Sequence, residues 1–156
     1  MKKLKLIETI AHKNSLFFHH YPFAYKRPVI TCLEASIARG VDLSQELKHI
    51  VVNSSNIEYI VHVLGDMKVS TVNVAKFLNT NNVKLSQLKK YNKFSMHRGT
   101  IFPFMEPFWS MKNLIDENVL EKKWLTTNDG TLHGFIKFSP KLLLSLPHYE
   151  RGYFSQ

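Results

Sequence analysis

Leu47-Lys48-His49-Ile50-Val51-Val52-Asn53-Ser54-Ser55-Asn56-Ile57-Glu58-Tyr59-Ile60-Val61-His62-Val63-Leu64-Gly65-Asp66 is the stretch that decides the fold. From Leu47 to Val52, and again from Ile57 to Leu64, it is rich in β-branched and aromatic residues, which fit a pleated, half-buried surface. Between the two runs, Asn53-Ser54-Ser55-Asn56 has turn chemistry, and Gly65-Asp66 ends the second. The reading is a β-hairpin.

Working outward, Thr31 can cap a helix whose fourth residue, Glu34, completes a capping box, with Gly40 as its stop; this predicts a helix over 31–39. Ahead of it, Leu4, Ile7, Ile10 and Ala11 recur at helical spacing, Ser15 to Tyr21 suits a strand, and Pro22 and Pro28 bracket a loop. Beyond the hairpin, Ser70 or Thr71 caps a helix carrying Val74, Phe77 and Leu78, and a second short helix is expected near Ser86. Phe94 to Trp109 reads as loop. Asn113 to Ile115, Lys122 to Thr127 and Leu132 to Phe138 read as strands, with Asn128-Asp129-Gly130 as a tight turn. Ser139-Pro140 opens a last helix with Leu142, Leu143 and Leu146. Strands and helices come in pairs rather than in regular alternation, which argues for an α+β fold with a mixed sheet and against a doubly wound nucleotide fold. No internal boundary appears, so residues 1–156 are expected to form a single domain.

Composition sets limits on function. At 44% hydrophobic and 21% charged residues the chain is neither disordered nor fibrous. Its longest apolar runs, around Ile50 to Val52 and Leu142 to Leu144, are far short of the roughly 20 residues of a membrane span. Met1 to Leu6 lacks the apolar core of a secretory signal. A single cysteine, Cys32, rules out an internal disulfide and any Cys-cluster zinc site, and it favours a reducing cytoplasm; a small buried core residue is the expected role. The formal charge of +9 is unevenly placed. No carboxylate lies between Asp66 and Glu106, where Lys68, Lys76, Lys84, Lys89, Lys90, Lys93 and Arg98 fall, and the remainder holds 14 basic and 12 acidic residues. A concentrated positive field implies an anionic partner, most often nucleic acid, and a solvated lysine face is the plainer alternative.

Eight histidines show no HExxH pattern or other recognised ligand spacing, so no metal is called for. Walker, GxGxxG and GxSxG motifs are absent, which removes ATP-driven and ordinary serine-hydrolase chemistry. Two helical patterns within Val69 to Tyr91, joined by Asn79-Thr80-Asn81-Asn82, admit a helix-turn-helix whose second helix would be Ser86 to Lys90. Two other features carry more chemistry. Lys48 stands at the entry of an apolar strand, where partial desolvation strengthens its interactions. Gly99-Thr100-Ile101-Phe102-Pro103 is a Gly-x-x-x-Pro loop, whose glycine permits close backbone approach to a carbonyl or phosphate oxygen.

With these features in order, the chain resembles the prolyl-tRNA-editing superfamily, the YbaK/EbsC-type aminoacyl-tRNA deacylase domain. The resemblance runs over nearly the whole chain: a strand ending in Tyr21, the Thr31-Cys32-Leu33-Glu34-Ala35 helix start, Lys48 before an apolar strand, Gly65-Asp66, the Gly99 to Pro103 loop, and Leu114-Ile115-Asp116 leading into the final strands. It implies a compact domain around a curved, largely antiparallel sheet flanked by helices, and hydrolysis of wrongly charged aminoacyl-tRNA without a cofactor. By resemblance, Lys48 is the functional lysine near the terminal adenosine or its phosphate. Gly99 lies where backbone amides orient the substrate carbonyl, with Thr100, Ile101 and Pro103 beside it. Tyr21 matches an aromatic near the pocket, and Asn128 and His133 fall where other members place polar pocket residues.

An aminoacyl ester is already activated, so such a domain need mainly position it, stabilise the oxyanion and direct water, a ribose hydroxyl or the substrate's side chain. The expected function is trans-editing of mischarged tRNA, tRNAPro first. The expected partners are the tRNA acceptor end, gripped through Lys68, Lys76, Lys89, Lys90, Lys93 and Arg98, and an aminoacyl-tRNA synthetase. A non-catalytic RNA-binding relative and a helix-turn-helix DNA-binding protein are the alternatives. His49 departs from the resemblance, standing where many members carry a small hydroxyl residue. Phe104-Met105-Glu106-Pro107-Phe108-Trp109 departs too, with aromatics suited to enlarging or closing an acyl pocket, or to plain core.

Overall fold

The structure, a computed structural model, describes residues 2–86 and 100–156. Its centre is the hairpin, strands β2 (Leu47–Ser54) and β3 (Ile57–Leu64), paired antiparallel from Leu47↔Leu64 to Ser54↔Ile57. The turn is two residues long rather than the four expected. Ser55 and Asn56 both take left-handed φ, 52° and 66°, a geometry that matches the twist of the flanking strands. Asn53 therefore belongs to the ladder, and its side-chain oxygen accepts the Asn56 N–H.

The strands form two sheets. One has five strands in the order β4-β2-β3-β5-β8, with β4 at Lys84–Leu85, β5 at Lys112–Asp116 and β8 at Tyr149–Gly152. Its β4-β2 and β2-β3 pairs are antiparallel, and its β3-β5 and β5-β8 pairs are parallel. The other is antiparallel, β1 (Phe18–Tyr21), β7 (Phe135–Phe138) and β6 (Leu125–Asn128). A parallel bridge between Glu46 and Thr126 joins the two. The chain thus adopts the expected α+β architecture, mostly antiparallel and flanked by helices.

Capping signals place the helices. In α2 (Cys32–Arg39) the Thr31 hydroxyl accepts the Glu34 N–H, and Gly40 ends the helix at a φ of 66°. Ser70 caps α3 (Thr71–Phe77) in the same way. α1 (Lys2–Lys13) buries Leu4, Ile7 and Ala11, and a short α4 (Glu117–Leu120), not expected, follows the Asp116 cap. The last helix is a 3-10 segment, Pro140–Ser145, rather than an α-helix. β8 was not expected either, because its Tyr-Glu-Arg-Gly sequence carries no apolar alternation.

The helix expected near Ser86 is not what the described residues form there. Lys84 and Leu85 pair with β2, and the Ser86 N–H continues that pairing by donating to the Val51 carbonyl. Ser86 does not open a helix as the helix-turn-helix reading requires, and residues 87–90 of that element lie outside the described residues.

Both faces of the five-stranded sheet are covered. Leu47 faces α1, Phe102, Phe104 and the three-stranded sheet in the largest apolar cluster. Val52, Val61 and Val63 face Val74 of α3, with Leu114 and Phe154. Burial on two faces explains why β3 reads as an almost unbroken apolar run.

Candidate functional site

Among the described residues, strand β2 is paired along its whole length on one side, by β3, but only in part on the other. There β4 covers Val52 and Asn53, the Ser86 N–H reaches Val51, and the Thr127 hydroxyl lies 3.3 Å from the Leu47 carbonyl. Since the Leu47 and Val51 carbonyls point to this edge, the N–H and C=O of His49 do so as well. Among the described residues no strand pairs with His49 there. The gap opens into a cavity of about 400 Å³, walled by the start of α2, by β2, by Leu85 and Ser86, and by Ile101 with Thr127 and Asn128.

The structure brings some of the expected site residues to this cavity. Lys48 lines it, half-buried, with its ammonium donating to the Met67 carbonyl just beyond the Gly65-Asp66 turn. Ile101 lines it too. Asn128 joins them, but its amide is engaged: Nδ2 donates to the Ile101 carbonyl at 2.9 Å and Oδ1 accepts the Gly130 N–H at 2.8 Å. Asn128 therefore ties the loop after residue 100 to β6. Cys32 is half-buried on the cavity wall, not the buried core residue expected.

Others lie off the wall. Thr100 and Pro103 are buried beside Ile101 but do not line the cavity. Tyr21 is more than a third exposed and stacks on Phe135 at 4.5 Å, and His133 sits 3.4 Å from the Tyr25 carbonyl. Lys68 and Lys76 are exposed around α3. Gly99, Lys89, Lys90, Lys93 and Arg98 lie outside the described residues.

Two buried polar groups were not anticipated. Arg39, from the last turn of α2, is ion-paired with Glu46, donates from Nε to the Tyr25 hydroxyl at 2.6 Å, and lies over the Phe135 ring at 5.1 Å. Burial pushes the Glu46 carboxyl and the Tyr25 phenol upward in pKa, and the Arg39 charge opposes both shifts.

The second is a relay through the sheet. His49 and His62 face each other in the register and meet Nδ1 to Nδ1 at 2.8 Å. His49 Nε2 lies 2.7 Å from the Thr127 hydroxyl, and His62 Nε2 lies 2.7 Å from Asn113 Oδ1. Both imidazoles are buried, which lowers His62 to about 4 and His49 well below its usual value; the neighbouring His62 and Arg39 lower His49 further. Both rings are neutral at pH 7 and poorly suited to general-base work, which is favoured when the base titrates near the working pH. The sequence did carry a signal for the pair: in a hairpin turning on Ser55 and Asn56, positions 49 and 62 are opposite. Among the described residues no group of three or more His, Cys, Asp or Glu side chains could hold a metal ion, and no helix is long and apolar enough to cross a membrane.

Comparison with solved structures supports the fold. Hypothetical protein APE2540 superposes with a TM-score of 0.80 at 19% identity, covering 96% of this chain and 99% of that one. A candidate trans-editing enzyme for prolyl-tRNA synthetase matches with a TM-score of 0.75 at 16% identity, over 99% of this chain and 96% of that one. A candidate signal-transduction protein from Marinobacter aquaeolei VT8 matches at 0.65 and 10% identity, covering 96% of this chain and 30% of that one. A comparison with curated proteins returned no match. At these identities the structural likenesses speak for the fold alone, but a sequence-family model, the aminoacyl-tRNA editing domain, matches residues 26–146. That span takes in α2, the hairpin and the whole cavity wall, and on it the chain belongs to the aminoacyl-tRNA editing domain family.

Proposed function

We propose that this protein hydrolyses mischarged aminoacyl-tRNA in trans, with tRNAPro as the first candidate, in the cytoplasm and alongside an aminoacyl-tRNA synthetase. The observation that carries the reading is the cavity at the open edge of β2, where Lys48 and Ile101 share one wall system within the residues that match the editing family. The acyl group occupies the cavity and the Lys48 ammonium holds the terminal adenosine or its phosphate. Backbone N–H groups of the Gly99 loop polarise the ester carbonyl, and water or the adjacent ribose hydroxyl attacks it. Fixed donors aimed at the developing oxyanion supply most of the catalysis in such a site, so no protein nucleophile is needed. The basic residues from Lys68 to Arg98 grip the acceptor stem.

The test is a panel of mischarged tRNAs, Ala- and Cys-charged tRNAPro among them, assayed with the wild type and with Lys48→Ala. Turnover that Lys48→Ala nearly abolishes, with an unchanged circular dichroism spectrum, supports the reading. No turnover above background on any member of the panel overturns the activity. Salt-sensitive tRNA binding without turnover would select a non-catalytic RNA-binding role instead.

A further inference from the structure

The relay through the sheet has a direction. The Met111 carbonyl can only accept, and Asn113 Nδ2 lies 2.8 Å from it, so the amide nitrogen faces Met111 and Oδ1 faces His62. His62 must then carry its proton on Nε2, leaving Nδ1 bare to accept from His49 Nδ1–H. His49 Nε2 is bare in turn and accepts the Thr127 hydroxyl proton. The other acceptor in reach of that hydroxyl, the Leu47 carbonyl, is farther away, at 3.3 Å against 2.7 Å for the imidazole. Reversing the chain would set the Asn113 carbonyl oxygen against that of Met111.

Thr127 lines the cavity, and with its proton committed to His49 it offers a ligand there only lone pairs. A second observation points the same way: Ser86 Oγ, from another part of the wall, is buried and finds no hydrogen-bond partner among the described residues. A buried hydroxyl without a partner carries a desolvation penalty that a ligand's polar group would relieve. Much of the remaining wall is apolar, Leu47, Val51, Ile101 and Leu85 included.

We propose that Thr127 is a specificity-determining residue of the acyl pocket: held as an acceptor by Asn113, His62 and His49, it selects acyl groups whose side chain ends in a hydroxyl over apolar groups of the same size. This rests on the aminoacyl-ester reading above. A pocket that only excludes volume discriminates weakly between such isosteres, whereas one with a dedicated hydrogen-bonding partner discriminates strongly.

The experiment compares kcat/KM on seryl- and alanyl-tRNA, and on threonyl- and valyl-tRNA, for wild type, Thr127→Val and Thr127→Ser. The expected hydroxyl-to-apolar ratio is at least about tenfold in the wild type, retained in Thr127→Ser and reduced to about unity in Thr127→Val. Binding of non-hydrolysable 3′-seryl-amido and 3′-alanyl-amido adenosine, measured by calorimetry, should show the same ratios without requiring turnover. Nitrogen-15 spectra of labelled histidine should show His49 as the Nδ1–H tautomer and His62 as the Nε2–H tautomer. Equal loss on all four acyl groups in Thr127→Val, a wild-type ratio near one, or the opposite tautomers would overturn the inference while leaving the hydrolase reading intact. Failure of every ester to react and of both analogues to bind would overturn the two together.

Discussion

His49 and His62 meet Nδ1 to Nδ1 at 2.8 Å inside the central sheet, in a ladder position where the two strands exchange no backbone hydrogen bonds and side chains approach most closely. A contact this short between two imidazoles requires one ring to donate and the other to accept, and the accepting ring to be uncharged.

Acid should therefore destabilise the fold earlier than carboxylate titration alone would. A histidine whose pKa is depressed by folding binds its proton more readily when unfolded, so its effect is absent above about pH 6.5 and grows as the pH falls toward the folded value. For His62, lowered to about 4, the loss reaches about 3 kcal/mol by pH 4, and His49 adds to it in the same sense. Glu46, raised by burial, works in the opposite direction. Urea midpoints of wild type and His62→Gln, measured from pH 7.5 to pH 4, should converge as the pH falls; parallel curves would refute the assignment.

Removing one half of the buried Arg39–Glu46 pair should be worse than removing both. Arg39→Met leaves a carboxylate buried without its cation, at a cost of about 3–5 kcal/mol. The double variant Arg39→Met/Glu46→Leu should be more stable than either single one in chemical denaturation.

Gly65 cannot accept a side chain. An added Cβ would lie 2.5 Å from the Leu43 carbonyl oxygen and 2.8 Å from Glu46 Cβ. Gly65→Ala should cost about 1–3 kcal/mol through a shift of backbone against backbone. Since Gly65 lies at the cavity and its N–H donates to the Glu46 carbonyl, the same variant should weaken binding of the alanyl-amido adenosine analogue.

Phe154 ties the chain's end to the sheet. Its ring is fully buried edge-on to Phe77 of α3, and its N–H donates to the Asp116 carboxylate at 2.7 Å. Phe154→Ala should cost about 3–5 kcal/mol and speed amide exchange in α3 before it does so in β3.

Lys68 and Lys76, both exposed, should act on tRNA through its phosphates and not through its sequence. Each Lys→Ala change should weaken tRNA binding about equally across tRNA species and reduce the salt slope by about one.

What could be read in advance, and what could not, follows from the range of each signal. Thr31, Glu34 and Gly40 mark α2 within ten residues, and the hairpin declares itself through its own composition. Turn length is a finer matter. A four-residue turn at 53–56 would set His49 opposite Ile60; the two-residue turn on Ser55 and Asn56 shifts the partner by two positions, keeps every side chain on its face, and places His49 opposite His62. Thr127 and Asn113 complete the relay from strands 78 and 51 residues away, separations that no local pattern reports. The place of Lys48 on the cavity wall was legible from its position at the entry of an apolar strand, whereas no local pattern marks Arg39 and Glu46 as a buried pair.

The gap beside His49 has one further consequence. An open strand edge is a liability in most proteins, since any extended chain can zip onto it. Here, among the described residues, the opening is only a few residues long and lies beside the start of α2 on the cavity wall. The groups it offers are peptide groups, which persist through any side-chain replacement except proline. Peptide groups of that kind come with the topology itself, so a fold shared at fewer than one identical residue in five can keep them in place while the side chains around them are exchanged.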